Sequence, residues 1–192
     1  MTRLSRSERA ALTRRELLDV AERRFNHYGY HATSLDDIAE EAGYTKGAVY
    51  SAYQSKAGLF LALLDEVIDR RLEDTRHLLA EHGTGPAKLA ALAAQPIDER
   101  NARFSLLAIE FLVHAARDPT LLADFTERYR RLRSSLAALG PPAGALSPDR
   151  WALVTLALSN GLALERLIDP AGVPDDLMAA VQVQITRPGP TG

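Results

Sequence analysis

The sequence predicts an all-α fold, with a helix-turn-helix in an amino-terminal three-helix domain and a second helical domain behind it. Three observations carry this expectation. Apolar residues recur at helical spacing along most of the chain, the breaks between periodic stretches fall at glycine, proline and capping residues, and the segment Thr33 to Tyr50 reads as two short helices joined by a tight turn. Val181, Val183 and Ile185 alternate as a strand would. Leu177, Met178 and Val181 nonetheless keep one helical face, and nothing else in the chain offers a sheet partner.

The first helix is expected from Thr13 to Tyr28, with Thr13 and Glu16 as a capping box, Leu17, Leu18, Ala21 and Phe25 as the apolar stripe, and Gly29 as its stop. In front of it, residues 1 to 15 carry Arg3, Arg6, Arg9, Arg14 and Arg15 against Glu8 alone. Such a basic arm can enter a minor groove or add affinity by counterion release. In the second helix Ser34 caps the start and Asp37 reaches back to it, with Thr33 as the fallback cap. Leu35, Ile38, Ala39 and Ala42 take the core side, while Asp36, Asp37, Glu40 and Glu41 face water.

Gly43 can adopt the left-handed conformation that ends a helix, and Thr45 then caps a third one. There Val49 points inward and Thr45, Lys46, Gly47, Ala48, Tyr50 and Ser51 share the exposed end and flank. A mid-helix glycine costs about 1 kcal/mol relative to alanine, so Gly47 suggests close approach of something to the backbone. From pattern alone, these residues suit either a reader of the DNA major groove or a plain three-helix subdomain.

Ser55 caps a long helix marked by Leu59, Phe60, Leu63, Leu64, Val67 and Ile68 and running toward Leu79. The run from His82 to Pro86 breaks it, and an alanine-rich helix follows to about Ala94. A further helix from Ile97 to Ala116 carries Phe104, Leu107, Ala108, Phe111 and Leu112. Asp118-Pro119 opens a helix to Leu139, with Leu122, Phe125, Tyr129, Leu132 and Leu136 inward. After a loop from Gly140 to Leu146, Ser147-Pro148 starts a helix from Asp149 to about Ile168. A final helix from Asp175 to Val183 precedes a disordered tail, residues 187 to 192. The helix from Trp151 to Leu167 is apolar on too much of its circumference for one side of a small domain. It is either central to the core or covered by a second chain.

Composition narrows the class. With 192 residues and 46% apolar content the chain can bury a substantial core. It has no uninterrupted run of eighteen apolar residues and no signal-like start, so a soluble, cytoplasmic protein without membrane contact is expected. The absence of cysteine excludes disulfides, thiolate metal sites and thiol redox sensing. The five histidines, His27, His31, His77, His82 and His114, form no short metal-ligand motif. Nor does a phosphate loop or nucleophile elbow occur, so neither an enzyme nor a metal or other cofactor is expected. The formal charge is -2, yet the first sixty residues hold nine basic and eight acidic side chains. Such a balance points to shape fit and two-fold binding rather than a broad electrostatic sheet.

The amino-terminal residues resemble the TetR family of transcriptional regulators. The resemblance rests on Thr13-Arg-Arg-Glu-Leu-Leu-Asp-Val-Ala21, Phe25, Gly29-Tyr30, Ala32-Thr33-Ser34, Asp37-Ile38-Ala39, Ala42-Gly43, Lys46-Gly47, Val49-Tyr50, Tyr53, Ser55-Lys56 and Leu59-Phe60. Ala57 stands where the family usually has glutamate, Tyr53 where phenylalanine is commoner, and Ser51 and Ala52 where bulkier side chains often sit. The resemblance implies a DNA-binding domain over residues 1–55 and an all-helical domain over 56–186 that pairs two chains and binds a small inducer. Family members are mostly repressors of neighbouring genes. An activator of the same fold, or a helical adaptor that binds protein instead of DNA, are the alternatives.

Base reading by the third helix nominates Thr45, Lys46 and Ala48, with Ser51 further along, while Gly47 lets the helix lie close to the backbone of the duplex. Tyr50, Lys56 and Thr33 are expected as phosphate clamps, and Arg3, Arg6, Arg9 and Arg14 as arm contacts. The expected partners are a palindromic double-stranded operator, a second copy of the chain and a small hydrophobic or amphipathic ligand. For a ligand pocket, Asn101, Arg103, His114, Tyr129 and Asn160 offer polar handles, and Phe104, Phe111, Phe125 and Trp151 apolar walls.

Overall fold

The computed structural model describes residues 5–81, 99–140 and 146–186, and the regular structure among them is helical throughout. The described helices are α1 (Arg6–Ala32), α2 (Leu35–Glu41), α3 (Lys46–Tyr53), α4 (Lys56–Glu81), α5 (Glu99–Ala115), α6 (Pro119–Leu139), α7 (Pro148–Ile168) and α8 (Leu177–Thr186). The strand alternative for Val181 to Ile185 is thereby set aside. The break expected at His82 to Pro86, the alanine-rich helix up to Ala94, the loop residues 141–145, the tail from Arg187 and the arm residue Arg3 lie outside the described residues.

The start of α1 differs from expectation. Eight residues before Thr13, the expected cap, Ser5 accepts a bond from the Glu8 amide at 3.2 Å and Glu8 accepts from the Ser5 amide at 2.7 Å, a complete capping box. Thr13 and Glu16 are therefore helix-interior residues, and both serve Tyr44 instead. The Thr13 hydroxyl lies 3.3 Å from the Tyr44 hydroxyl, which donates to the Glu16 carboxylate. Arg6, Arg9 and Arg14 consequently sit on an ordered helix and not on a loose arm. Gly29 does break α1, at φ 81° and ψ 170°, and Tyr30 to Ala32 form a separate last turn.

The described residues fall into two compact units: one takes in the chain up to Val67 together with Leu107–Phe125, the other Ile68–Leu106 and the chain from Thr126 onward. The core of the first unit is the expected stripe, with Leu17, Ala21, Phe25, Ile38, Ala39, Val49, Leu59 and Leu63 all buried. An aromatic cluster adds to it. Phe60 stacks on Phe111 at 4.2 Å between ring centroids, and Tyr30 meets Phe111 edge-on at 5.1 Å and Phe60 at 5.5 Å. Phe125 lies 5.6 Å from Phe111.

Burial of the phenols has a pH consequence. Tyr30 and Tyr53 are both pushed up to about 12 by desolvation, while an exposed tyrosine in the unfolded chain titrates near 10. Between those values the folded chain retains protons that the unfolded chain has lost, so stability is full below pH 10 and declines as pH climbs toward 12. Urea unfolding at pH 9 and pH 11 should reveal a loss of roughly 2 kcal/mol, and about half of it should vanish in Tyr53→Phe. An unchanged midpoint would contradict the burial.

In the second unit Trp151 is fully buried among Leu136, Ala137 and Ala152, with Leu146, Leu156 and Ile185 packed around them. Its indole Nε1 donates to Gln182 at 2.8 Å, and the Gln182 amide donates on to Thr155 at 2.8 Å, which satisfies the polar atoms that α7 and α8 bury together. Gly140 packs face-on: a Cβ there would stand 2.6 Å from the indole. By length and composition α7 is also long and apolar enough to cross a bilayer. Leu153, Leu167 and Ile168 are exposed, and a Cβ on Gly161 would meet no atom of the chain within 4 Å.

Candidate nucleic-acid interface

The helix-turn-helix closes as its residues dictate. Ser34 accepts from the Asp37 amide at 3.1 Å while the Asp37 carboxylate takes the Ser34 amide at 3.0 Å and its hydroxyl at 2.7 Å. Those bonds, with Arg24 adding to them, hold the Asp37 carboxyl below the ordinary carboxylate range. After α2, Gly43 adopts φ 71°, the Tyr44 amide donates back to the Ala39 carbonyl at 2.9 Å, and Thr45 caps α3 by accepting from the Ala48 amide at 3.2 Å. Arg23 and Arg24 tie α1 to α2 through Glu41 at 3.2 and 3.1 Å.

Two side chains fix the rotation of α3. Val49 is completely buried, and the Tyr53 hydroxyl donates to the Arg14 carbonyl at 2.7 Å. This rotation leaves Thr45, Lys46, Gly47, Tyr50 and Ser51 exposed and Ala48 half-buried. A Cβ on Gly47 would find a single atom of its own chain within 4 Å, Thr45 Oγ1 at 3.9 Å. The Gly47 backbone is therefore bare toward the outside.

Two of the expected phosphate clamps are corrected. Thr33 is 1% exposed, and its hydroxyl donates to the Gly29 carbonyl at 2.9 Å with the Arg24 carbonyl 3.4 Å away, so it closes the break in α1 from within. The Lys56 ammonium donates to the carbonyls of Tyr30 at 3.0 Å, Thr33 at 3.1 Å and His31 at 3.4 Å, and lies 4.5 Å from the Tyr30 ring centroid. Burial lowers its pKa, and its donors cap the last turn of α1. Arg14 is likewise committed, to the Ala52 carbonyl at 2.6 Å and the face of Tyr53 at 4.7 Å. Arg6 and Arg9 remain exposed on the first turns of α1.

Sequence reasoning also missed functional neighbours. Asp36 forms an ion pair with Lys46 across the turn, and this contact more than any other raises the lysine pKa. Glu110 of α5 accepts from the Tyr30 amide at 2.9 Å, right at the break in α1. The Asp36–Lys46 pairing was open to discovery as opposite charges flanking a short turn, whereas the Glu110 contact spans eighty residues with no local pattern to announce it.

The nominated pocket residues fall in both units. Phe111 and Phe125 belong to the core of the first unit, and His114 is exposed with its ring 5.2 Å from Tyr30 and 5.7 Å from His31. Trp151 is core packing, as described above. Tyr129 and Asn160 do meet: the Asn160 amide donates to the Tyr129 hydroxyl at 2.9 Å, and Ser105 lies 3.4 Å from the Asn160 carbonyl, joining α5, α6 and α7. Phe104 is buried beneath the Arg71 guanidinium at 5.6 Å. Arg103 is exposed, and the side chain of Asn101 lies outside the described residues.

Against known proteins, residues 17–63 match the family model described as bacterial regulatory proteins, tetR family, and residues 84–187 match the one described as tetracyclin repressor-like, C-terminal domain. The HTH-type transcriptional regulator TtgR of Pseudomonas putida is 47% identical over 60 residues, which cover 31% of this chain and 29% of that protein. The chain thus matches under a third of the length of that relative. Among solved structures, a putative TetR-family transcriptional regulator from a Rhodococcus species aligns with a TM-score of 0.72 at 21% identity, over 91% of this chain and 100% of the other. A putative transcriptional regulator from Saccharomonospora viridis, solved in complex with choline, aligns with a TM-score of 0.70 at 20% identity, over 91% and 95%. Both likenesses are of fold. The two family models together span the helix-turn-helix and more than half of the chain behind it, and the chain belongs to the TetR family of bacterial regulatory proteins.

Proposed function

We propose that the chain is a sequence-specific DNA-binding transcriptional regulator that works as a homodimer, represses from a palindromic operator and is released by a small hydrophobic or amphipathic ligand. The observation that carries the reading is the outward face of α3. Thr45, Lys46, Gly47, Tyr50 and Ser51 stand open on a helix whose other face is pinned by Val49 and Tyr53, and the Gly47 backbone is bare. A helix with small residues and hydrogen-bonding groups on its free side fits the major groove, where base edges present donors and acceptors. In this reading Thr45, Lys46, Ala48 and Ser51 face bases, Gly47 lets the backbone approach, Tyr50 meets a phosphate, and Arg6 and Arg9 lie where an adjacent strand would pass.

Pairing follows from α7. Its exposed Leu153, Leu167 and Ile168, with the open Gly161, are the surface that a second copy would cover, together with Val183 of α8. Two readers about 34 Å apart then enter one face of the duplex. Residues 1–55 are assigned to DNA and 56–186 to pairing and ligand. The Ser105–Asn160–Tyr129 chain is the polar handle nearest to hand for a ligand in the second unit, and the choline bound by the Saccharomonospora relative supports a small-molecule role for this domain. Selection of genomic fragments by the purified protein should return one inverted repeat, and ligands that bind should lower affinity for it. Recovery of unrelated fragments would overturn the reading, and affinity left unchanged by bound ligands would overturn release.

A further inference from the structure

Lys46 is the sole basic residue of α3, so its charge is all the positive side-chain charge the reading helix brings to DNA. That charge is already engaged. Asp36, in the first turn of α2, reaches across the turn to the Lys46 ammonium, and both side chains are open to water, 49% and 68% exposed. Tyr50 and Glu40 act on Lys46 in the same direction. The first turn of a helix favours a carboxylate, so Asp36 is held where it stands, while an exposed ion pair exchanges partners at little cost.

We propose that Asp36 is a specificity-determining residue of the reader: it neutralises Lys46 on DNA of arbitrary sequence and yields it only where a correctly placed acceptor displaces the carboxylate. The inference rests on the reading of α3 as the DNA-contacting helix. A phosphate that approaches the closed pair meets no net charge and releases no counterion. At an operator, many contacts fix the register, and Lys46 exchanges Asp36 for a base acceptor or a phosphate in defined geometry. Asp36 thus lowers random attachment more than operator binding.

Titration of fluorescent duplexes with the wild type and Asp36→Asn, from 0.05 to 0.2 M salt, tests this. On random duplex the variant should gain one phosphate contact per reader, two per dimer, with a salt slope steeper by about 1.8 and affinity higher by about sixtyfold at 0.1 M salt. Operator affinity should rise by less, so discrimination falls, and Asp36→Asn combined with Lys46→Gln should lose the gain. Unchanged random binding and slope in Asp36→Asn, or a gain that survives in the double variant, would overturn the proposal. A wild type that binds no duplex even at 0.05 M salt would instead overturn the reading on which it rests. Equal melting temperatures of the three proteins show that the comparison is between folded readers.

Discussion

Gly47→Ala should make the protein more stable and a worse DNA binder. In its own chain the new methyl meets nothing closer than Thr45 Oγ1 at 3.9 Å, and φ at this position is compatible with any residue. Alanine also restricts the unfolded chain and suits a helix, so stability should rise by about 0.4–1 kcal/mol. With α3 in the groove as proposed, the same methyl would occupy the gap between the helix and the duplex. Displacing the helix from that position costs at least one base or phosphate contact, and about 1.4 kcal/mol is tenfold in affinity, so operator binding should fall about tenfold or more. Opposite signs in melting and binding are the signature of a surface residue kept for its partner. A variant that loses both would mean that Gly47 packs inside its own fold.

Gly29→Ala should produce the largest loss of stability. Gly29 adopts φ 81° and ψ 170°, a region essentially reserved for glycine, and its Cβ would lie 3.0 and 3.3 Å from the two Glu110 carboxylate oxygens. Strain there costs on the order of 1–3 kcal/mol, and moving Glu110 aside leaves the Tyr30 amide without its 2.9 Å bond. Together these predict about 2–3 kcal/mol, or a melting temperature lower by roughly 4–10 °C. Gly43→Ala provides the comparison. Gly43 also has positive φ, at 71°, but an added Cβ would meet nothing within 4 Å, so its loss should be confined to backbone strain and smaller. If Gly29→Ala costs no more than Gly43→Ala, the Glu110 contact contributes nothing at this break.

The break matters because so much hangs on it. Thr33 and Lys56 both close it, one through its hydroxyl and one through its ammonium, and Ser34 starts α2 directly after it. The orientation of the reader against α1 is therefore set by side chains drawn from α4 and α5, not by the turn alone.

What the sequence could and could not disclose follows from the range of each interaction. Local bonds were legible: the Ser34–Asp37 box, the Gly43 turn, the Thr45 cap and the Ser55 cap, which accepts from the Gly58 amide at 2.9 Å, each lie within three or four residues. The start of α1 was misplaced although Ser5 and Glu8 carry the same spacing as Thr13 and Glu16, because two boxes on one helix compete and the earlier one wins whenever the intervening residues are helix-compatible. Lys56 and Thr33 were misread for a different reason. An exposed-looking cation or hydroxyl beside a reader suggests phosphate, and only the folded chain reveals carbonyls of α1 converging on the same atoms. The pocket is the least legible part, since an aromatic that lines a cavity and one that fills a core share the same helical periodicity. Phe111 and Trp151 are core.

The central claim is that the open face of α3 lies in a major groove at two places on one duplex. The chain has no cysteine, so Ser51→Cys, at an exposed position of α3, accepts a single iron chelate whose radicals cut nearby DNA. On the selected operator the account predicts two discrete clusters of cleavage about one helical turn apart and symmetric about the dyad of the repeat. Cleavage spread evenly along the duplex, or none while the labelled protein remains bound, would contradict it.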